Sequence, residues 1–253
     1  MDINICIANI NISIHSLYDI ANDKIKEYIV DDEQIPDIEV FSSESLIKEE
    51  YQRMIDNGDD FASLESVEML MIQRIIAEEL PKHDAFLLHG AAIGVDREAY
   101  IFSAKSGTGK TTHINHWLDN NKSSYVVNGD KPYILITDKE ALVCGTPWCG
   151  KENMGTNIML PVRSIVFMER SNENRMENIP FKAVFPRLLE QTYRPSNMIQ
   201  MKKTLKLLLK LKELVTFYIF YFDNYKEDVF QVSYNTLLQR KARTSVGSAK
   251  EMR

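Results

Sequence analysis

The sequence of 253 residues has little cysteine and no long hydrophobic run. Its three cysteines, Cys6, Cys144 and Cys149, have a spacing that fits neither a disulfide framework nor a zinc site. The longest apolar run, at residues 214–222, is too short to span a bilayer. The first residues are acidic and alternate in polarity, so we expect neither a signal peptide nor a membrane span. These features are typical of a reducing, cytoplasmic environment.

Glycine is scarce and concentrated in one part of the chain. Eight of the ten glycines lie between Gly90 and Gly155, and sharp turns or close backbone approaches need this residue. Charge is uneven too: residues 1–80 carry 19 acidic and 5 basic side chains (net −14), and residues 81–253 carry 17 and 25 (net +8). The basic part suits a polyphosphate ligand. The acidic part argues against a nucleic-acid partner.

A phosphate-binding loop is predicted within residues 99–120. A short apolar run enters the sequence AKSGTGKTT, and a segment with helical character follows it. Strand, loop and helix in this order are the context in which the pattern GxxxxGK[ST] binds phosphate. The first position of the pattern is Ala104 instead of glycine. The alternative interpretation is a Gly/Ser-rich turn that only joins a strand to a helix.

Several loop residues have predicted roles in binding a nucleotide such as ATP or GTP. Gly107 and Gly109 let the backbone curl so that its N–H groups face phosphate oxygens. Lys110 reaches the β- and γ-phosphates, and the hydroxyl of Thr111 binds Mg²⁺. The helix that starts near Lys110 adds its partial positive charge. The full predicted nucleotide-binding set is Ser106, Gly107, Thr108, Gly109, Lys110, Thr111 and Thr112.

Composition and periodicity predict three regions. We expect a small α/β region at residues 1–80, in which we find no chemistry, and a P-loop domain at residues 81–240. Residues 241–253 are expected to be a disordered tail.

Within these regions, periodicity predicts individual elements. Residues 3–14 alternate like a strand or hairpin pair, residues 16–29 are expected to be helical, and residues 64–80 form a helix with one apolar stripe. Residues 85–95 are expected to form one buried strand that carries His89.

Three further features have the chemistry of a site. Asp130 follows a predicted strand, and its carboxylate suits binding Mg²⁺ or taking a proton from a hydroxyl. His89 lies one strand upstream of the loop. Lys151, within the long glycine-rich loop 145–157, is available to neutralise charge in a transition state. The alternatives are a core histidine for His89 and a turn or cap residue for Asp130.

Taken together, these motifs resemble the HPr kinase/phosphorylase catalytic domain. The resemblance rests on His89-Gly90, a short strand pair, the loop SGTGKT at residues 106–111 and the acidic turn that follows. A subfamily of such kinase-like proteins shares the segments LLHGAAIGVD, AKSGTGKTTH, GTPWCGKE and the strand end FMER. The wider superfamily includes the ATP-dependent phosphoenolpyruvate carboxykinases. The resemblance implies an α/β fold with mixed, largely antiparallel sheets and the nucleotide loop at the edge of this core. It also implies a kinase-like protein that uses ATP and Mg²⁺, with members of the related subfamily acting on serine in small ribosomal peptides.

Carried over residue by residue, the resemblance implies that Lys110 and the loop amides bind triphosphate and that Thr111 binds Mg²⁺. Asp130 becomes a metal ligand or the base, and His89 lies beside it and tunes its proton affinity. The catalytic set is therefore Asp130, His89, Lys110 and Lys151. One departure stands out, because Gly129 occupies a position where the family commonly has a second acid.

The leading hypothesis is an ATP-dependent kinase that phosphorylates a hydroxyl, on serine of a peptide or small protein. The first alternative is a nucleotide-binding regulatory module without transfer activity, which Gly129 favours. The second is a small-metabolite kinase or a carboxykinase-like enzyme. The sequence does not decide the oligomeric state.

Overall fold

The structure is a computed structural model that describes residues 1–21, 23–31, 35–58 and 63–248, with side chains to residue 238. The N-terminal part forms a three-stranded sheet of order β1-β2-β3, in which β1 and β2 are antiparallel and β2 and β3 are parallel. Its elements are β1 Asp2–Ile7, β2 Ile10–His15, α1 Asp23–Lys26, β3 Ile38–Phe41, α2 Glu44–Asp56 and α3 Leu64–Glu79. The predicted hairpin at residues 3–14 and the helix at residues 64–80 are confirmed.

The helix expected over residues 16–29 is wrong except for the single turn α1. The backbone N–H groups of Leu17 and Tyr18 donate to the carboxylate of Glu68 on α3, at 2.7 and 2.9 Å. Glu68 is fully buried. These bonds tie the start of the segment to α3, and at its other end the carbonyl of Tyr28 accepts from the N–H of Cys6 on β1 at 2.9 Å, so tertiary contacts override the local pattern.

The remaining strands form a nine-stranded sheet. Its main path runs β4-β8-β9-β10-β6-β5-β7, and β12 pairs with β10 on one side and β11 on the other. The strands are β4 Ala85–Leu87, β5 Ala91–Val95, β6 Glu98–Ser103, β7 Tyr125–Asn128, β8 Tyr133–Ile136, β9 Ala141–Cys144, β10 Met159–Arg170, β11 Arg175–Asn178 and β12 Thr216–Phe222. The helices are α4 Lys110–Asn120, α5 Phe181–Gln191, α6 Met198–Leu214 and α7 Val229–Ser248.

The fold class is α/β with mixed, largely antiparallel sheets, which confirms the predicted class. Within the described ranges, parallel pairing between named strands joins only β10 to β6, β10 to β12 and β2 to β3. β6 lies in the interior, between β5 and β10. The glycine-rich loop therefore leaves the carboxyl end of an interior strand.

The single strand expected at residues 85–95 is two strands, β4 and β5, in different parts of the sheet. β4 pairs with β8, and β5 pairs with β6 and β7. Between them the backbone N–H of His89 donates to the carbonyl of Gln191 at 2.8 Å, and that of Gly90 donates to the carbonyl of Asp130 at 2.8 Å. These bonds end one strand and begin the next, and they leave His89 at the junction.

The hydrophobic core continues across the predicted boundary at residue 80. One buried cluster joins the isoleucines of β1 and β2 to Leu87, Tyr133 and Trp148 in the larger part. The division of the chain into domains stays a prediction. α7 extends to Ser248, so residues 241–248 of the expected tail are helical, and residues 249–253 lie outside the described ranges. No helix of the described chain is long and apolar enough to cross a membrane.

Candidate functional site

Three parallel strands bring their carboxyl ends to one edge of the large sheet. β6 ends at the glycine-rich loop (residues 104–109), β10 ends at Arg170, and β12 is followed by Asp223 and Asn224. The loop is thus surrounded by residues that lie more than 60 positions away in sequence. Arg170 donates to the carbonyl oxygens of Gly107 at 2.8 Å and Thr108 at 3.1 Å.

The glycine-rich loop has a backbone that needs glycine. Gly109 caps α4 with a φ of +119°, in the left-handed region. A Cβ atom there would lie 2.6 Å from the side-chain nitrogen of Asn224, which itself donates to the carbonyl of Gly109 at 3.2 Å. The side chain of Thr108 donates to the carbonyl of Lys105 at 2.8 Å. These contacts fix the loop where α4 begins, the end of a helix that attracts anions.

Lys110 turns inward from the first position of α4. Its ammonium group donates to the carbonyl of Ala104 at 2.9 Å and lies 3.2 Å from Nε2 of His89. The residue is 9% exposed. Burial lowers the pKa of Lys110, and the negative charge of Asp130 opposes part of that shift.

His89 and Asp130 form a pair beside Lys110. His89 Nε2 lies 3.3 Å from Oδ1 of Asp130, and its Nδ1 lies 2.8 Å from Oε1 of Gln191. Burial acts to raise the pKa of Asp130, but the hydrogen bond from His89 and the positive charges of Lys131, His89 and Lys110 outweigh it and hold that pKa below its usual range. Asp130 is therefore ionised at neutral pH.

The imidazole of His89 has two distinct partners at one nitrogen. With its proton on Nδ1, bonded to Gln191, the neutral ring accepts at Nε2 from Lys110. When the ring is doubly protonated, Nε2 donates to Asp130 instead. The arrangement can thus pass a proton between the carboxylate of Asp130 and Nε2 of His89.

A buried asparagine shapes the turn that carries Asp130. The side-chain oxygen of Asn128 accepts from the backbone N–H groups of Asp130 at 2.8 Å and Lys131 at 2.7 Å. Its side-chain nitrogen donates to the hydroxyl of Thr146 at 2.9 Å. Asn128 thereby ties the Asp130 turn to loop 145–157 and holds the carboxylate in place.

Gly129 is in close contact with loop 145–157. Its N–H donates to the carbonyl of Met154 at 2.9 Å. A Cβ atom on Gly129 would lie 2.7 Å from the carbonyl oxygen of Cys149 and 3.2 Å from that of Met154. No side chain, and hence no second acid, fits at this position unless the loop moves.

Only some of the predicted site residues lie together in the structure. It brings Lys110, His89 and Asp130 together, whereas Lys151 is exposed in a turn and makes no hydrogen bond or ion pair with any residue that the structure describes. The positive charge that helps to lower the pKa of Asp130 comes from Lys131 and not from Lys151. The roles of these residues, and of Ser106 and Thr112, which are exposed on the loop and α4, stay predictions.

Three residues of the site were missed by sequence reasoning. Gln191 and Asn224 come from parts of the chain more than 100 positions away from their partners, and no local motif marks them. Asn128 is different, since it directly precedes Gly129-Asp130 in the sequence NGD, and asparagine in a turn signals a side chain bonded to the backbone.

Fold and site together define a mixed α/β protein with a glycine-rich loop next to a histidine–aspartate pair. No family profile matches the chain, and no curated protein matches it. Among solved structures it is similar to the Hpr(Ser) kinase/phosphatase from Coxiella burnetii, with a TM-score of 0.39 and 9% sequence identity. The superposition covers 66% of this chain and 96% of that one.

Proposed function

We propose that this protein is an ATP-dependent kinase that transfers the γ-phosphoryl group to a serine hydroxyl of a peptide or small protein. The proposal rests on one observation. The ammonium group of Lys110 and the carboxylate of Asp130 both lie within about 3.3 Å of the same nitrogen of His89, directly beneath the glycine-rich loop. A phosphate-binding cation and an ionised base are thereby held in one cluster.

In the proposed reaction the loop N–H groups bind the phosphates, and Lys110 exchanges the carbonyl of Ala104 for a phosphate oxygen. The acceptor hydroxyl lies against Asp130, whose carboxylate takes the proton as the hydroxyl oxygen bonds to the γ-phosphorus. The bond from that phosphorus to the β–γ bridging oxygen breaks, and ADP leaves with its electron pair. His89 orients Asp130 and can accept the proton from it.

The donor set fits Mg²⁺ shared with a nucleotide. No group of three or more His, Cys, Asp or Glu side chains that could hold a metal occurs in the described part of the chain. Mg²⁺ commonly binds one or two protein groups and completes its coordination with phosphate oxygens and water, and the Thr111 hydroxyl and the ionised Asp130 carboxylate are such groups. When bound, the ion supplies neutralisation of phosphate charge.

Radiolabelled phosphate transfer from ATP to serine-containing peptides tests the proposal. Asp130→Asn removes the base but keeps the shape of the side chain, and we expect transfer to fall about 10²- to 10⁴-fold. Lys110→Ala is expected to fall by at least about 10²-fold. Lys203→Ala serves as the comparison, because its exposed side chain lies on α6, outside the predicted catalytic set. Transfer that survives both of the first two substitutions would contradict a kinase at this site.

The tight contact at Gly129 favours a second candidate, a nucleotide-binding regulatory module without transfer activity. With no room for a second acid, Asp130 alone must serve both metal and hydroxyl. Tight ATP binding that depends on Lys110, together with no transfer to any acceptor, would support this candidate over the kinase. For either function we propose a cytoplasmic setting, where ATP is available and the buried thiols of Cys144 and Cys149 stay free.

A further inference from the structure

A groove of about 660 Å³ opens beside the candidate site. One wall comes from α2 and α3 of the N-terminal part, and the other comes from the end of α5 and the segment that leads to α6. The lining includes His89, Lys131 and Gln191, the residues around Asp130. A ligand in this groove therefore lies beside residues that surround the proposed base.

The positive charge of the groove is not fully used by the protein. Four basic side chains line it, Arg53, Arg74, Lys131 and Arg194. Within the described chain, Lys131 and Arg194 make no side-chain hydrogen bond or ion pair, and Arg194 is exposed. Arg194 therefore remains available to a ligand, whereas the charge of Lys131 also acts on Asp130.

Two of the four cations share one acid. Arg53 and Arg74 both pair with the buried carboxylate of Glu50, at 2.6 and 2.7 Å. Two guanidinium groups on a single carboxylate keep a net positive charge, and each has further N–H donors. The pair is thus fixed in position and still positive.

The acids that line the groove are already engaged. Glu78 accepts from the hydroxyl of Tyr193 and from the backbone N–H of Ser196, all at 3.0 Å. Glu190 lies 3.2 Å from the ammonium group of Lys105. Both acids keep their negative charge, but the four basic side chains of the lining outnumber these two acids and Glu50 together, so the groove is net positive.

A buried amide on the groove wall has an unused donor. Gln73, on α3, is 3% exposed and lines the groove. Its side-chain nitrogen has no hydrogen-bond partner in the described part of the chain. Buried donors of this kind are usually satisfied, so a shift of this side chain toward an acceptor in the groove would be favourable. Leu70, Ile75 and Leu87 add apolar surface between the polar groups.

We propose that the groove binds an acidic peptide segment of the phosphoryl acceptor, whose carboxylates pair with Arg194 and the Arg53–Arg74 pair. This inference rests on the proposed kinase function. A peptide suits the mixture of cations, apolar surface and an amide donor. A nucleic acid suits it less, because it brings a negative charge at every nucleotide against residues 1–80, which supply one wall and carry a net charge of −14, whereas a peptide with two carboxylates brings few.

Binding is measured first, so that the result does not depend on catalysis. The probe is a fluorescein-labelled decapeptide with one serine and two glutamates, compared by anisotropy with the same peptide carrying glutamines. We expect the glutamate peptide to bind the whole protein more tightly, and Arg194→Gln to weaken it roughly tenfold, as the loss of one charge-assisted hydrogen bond implies. Lys203→Gln also removes one positive charge, but from an exposed position on α6 outside the groove, and it is expected to leave binding unchanged.

A charge exchange sharpens the test. Arg194→Glu is expected to reject the glutamate peptide and to bind a lysine version of it better than the unmodified protein does. Lys110→Ala is expected to abolish phosphoryl transfer to the glutamate peptide while leaving its binding intact. If the unmodified protein binds the glutamate peptide but phosphorylates none of the peptides, the proposed kinase function is wrong and the proposed role of the groove stands.

The inference fails on any of three outcomes. The first is equal binding of the glutamate and glutamine peptides. The second is that Arg194→Gln binds the glutamate peptide as tightly as the unmodified protein does. The third is that a single-stranded oligonucleotide displaces the labelled peptide at a lower concentration than the unlabelled peptide does. The last result would assign the groove to a nucleic acid.

Discussion

His89 connects the two charged groups of the candidate site. It is held by Gln191 through Nδ1 and by its own backbone N–H, which bonds to the carbonyl of the same residue. Its other nitrogen faces Lys110 and Asp130. A ring fixed on one side and shared on the other is a positioning residue for both neighbours.

Replacing His89 tests that role. We expect His89→Ala to lower the rate constant of phosphoryl transfer roughly 10- to 100-fold, because Asp130 loses the partner that orients it. ATP binding, measured by calorimetry, is expected to change little, since the loop contacts remain. His83→Ala, at a histidine outside the cluster, is the matched control. An unchanged transfer rate would reduce His89 to a structural contact.

Gly129 gives a second prediction for a single residue. A methyl group on Gly129 would lie 2.7 Å from the carbonyl oxygen of Cys149, a backbone atom that can only shift together with its loop. We expect Gly129→Ala to lower the free energy of unfolding by about 1–3 kcal/mol, the usual cost of overpacking. Urea denaturation measures this change, and transfer activity is expected to fall as the loop leaves Asp130.

The same geometry decides what a second acid can do. Gly129→Asp would restore the two adjacent acids of the family pattern, but its Cβ meets the same carbonyl. We therefore expect this variant to be no more active than Gly129→Ala. A rise in transfer activity would show that loop 145–157 moves aside and that the missing acid limits catalysis.

Helix α4 carries a buried histidine that links its packing to pH. His113 is fully buried, and its Nε2 accepts from the indole of Trp117 at 3.2 Å, while its Nδ1 has no partner in the described part of the chain. Burial, helped by the nearby His116, lowers the pKa of His113 to about 3. The ring is neutral in the folded protein at every pH of ordinary use.

The sign of the pH effect follows from that shift. The unfolded chain protonates His113 near its usual pKa of about 6.5, whereas the folded chain does so only near 3. Below about pH 6.5 the unfolded state binds more protons, so His113 lowers the stability by roughly 1.4 kcal/mol per pH unit as the pH falls toward 3. Above pH 6.5 both states are neutral, and this contribution is constant.

Urea denaturation at pH 7 and pH 5 measures the effect. We expect the loss of stability between these values to be about 2 kcal/mol smaller in His113→Phe than in the unmodified protein. Trp117 keeps the hydroxyl of Ser233, at 3.1 Å, as an acceptor in this variant. His83→Gln is the control and should show the full loss. Equal losses in His113→Phe and the unmodified protein would contradict the assignment.

Local pattern predicts elements well where their partners are adjacent in sequence. The β1–β2 hairpin and helix α3 have nearly the bounds that periodicity predicts, because a short turn and one apolar face determine them. Residues 16–29 and 85–95 fail for the opposite reason. Their backbone bonds go to Glu68, Gln191 and Asp130, which lie far away along the chain.

In the candidate site, too, local sequence patterns reveal some features and long-range contacts create others. Lys110 and Asp130 follow recognisable loop and turn sequences, so they could be found without coordinates. The groove could not, because its walls come from α3 and the α5–α6 segment, more than 100 positions apart. The sequence also offered no sign that β6 lies inside the sheet, since strand order depends on long-range pairing.

Across the whole molecule, the N-terminal part holds the loop that packs against Asp130. The indole N–H of Trp148 donates to the carbonyl of Met69 on α3 at 2.9 Å. The ammonium group of Lys24 donates to the carbonyl of Gly155 at 3.1 Å, and the side chain of Asn157 donates to the carbonyl of Glu27 at 2.7 Å. A region in which the sequence shows no chemistry therefore positions part of the candidate site.

Trp148→Phe tests this connection between the two parts. Phenylalanine keeps an aromatic ring against Tyr133 but cannot donate to Met69, so we expect a loss of about 1 kcal/mol in the free energy of unfolding. Because the released loop contacts Gly129, transfer activity should fall as well. Trp117→Phe makes the same chemical change on α4, where the indole bonds to His113 and Ser233 and not to α3. We expect it to lower stability at least as much and to leave transfer higher than in Trp148→Phe. Equal transfer rates in the two variants would mean that the N-terminal part stabilises the fold without positioning the loop.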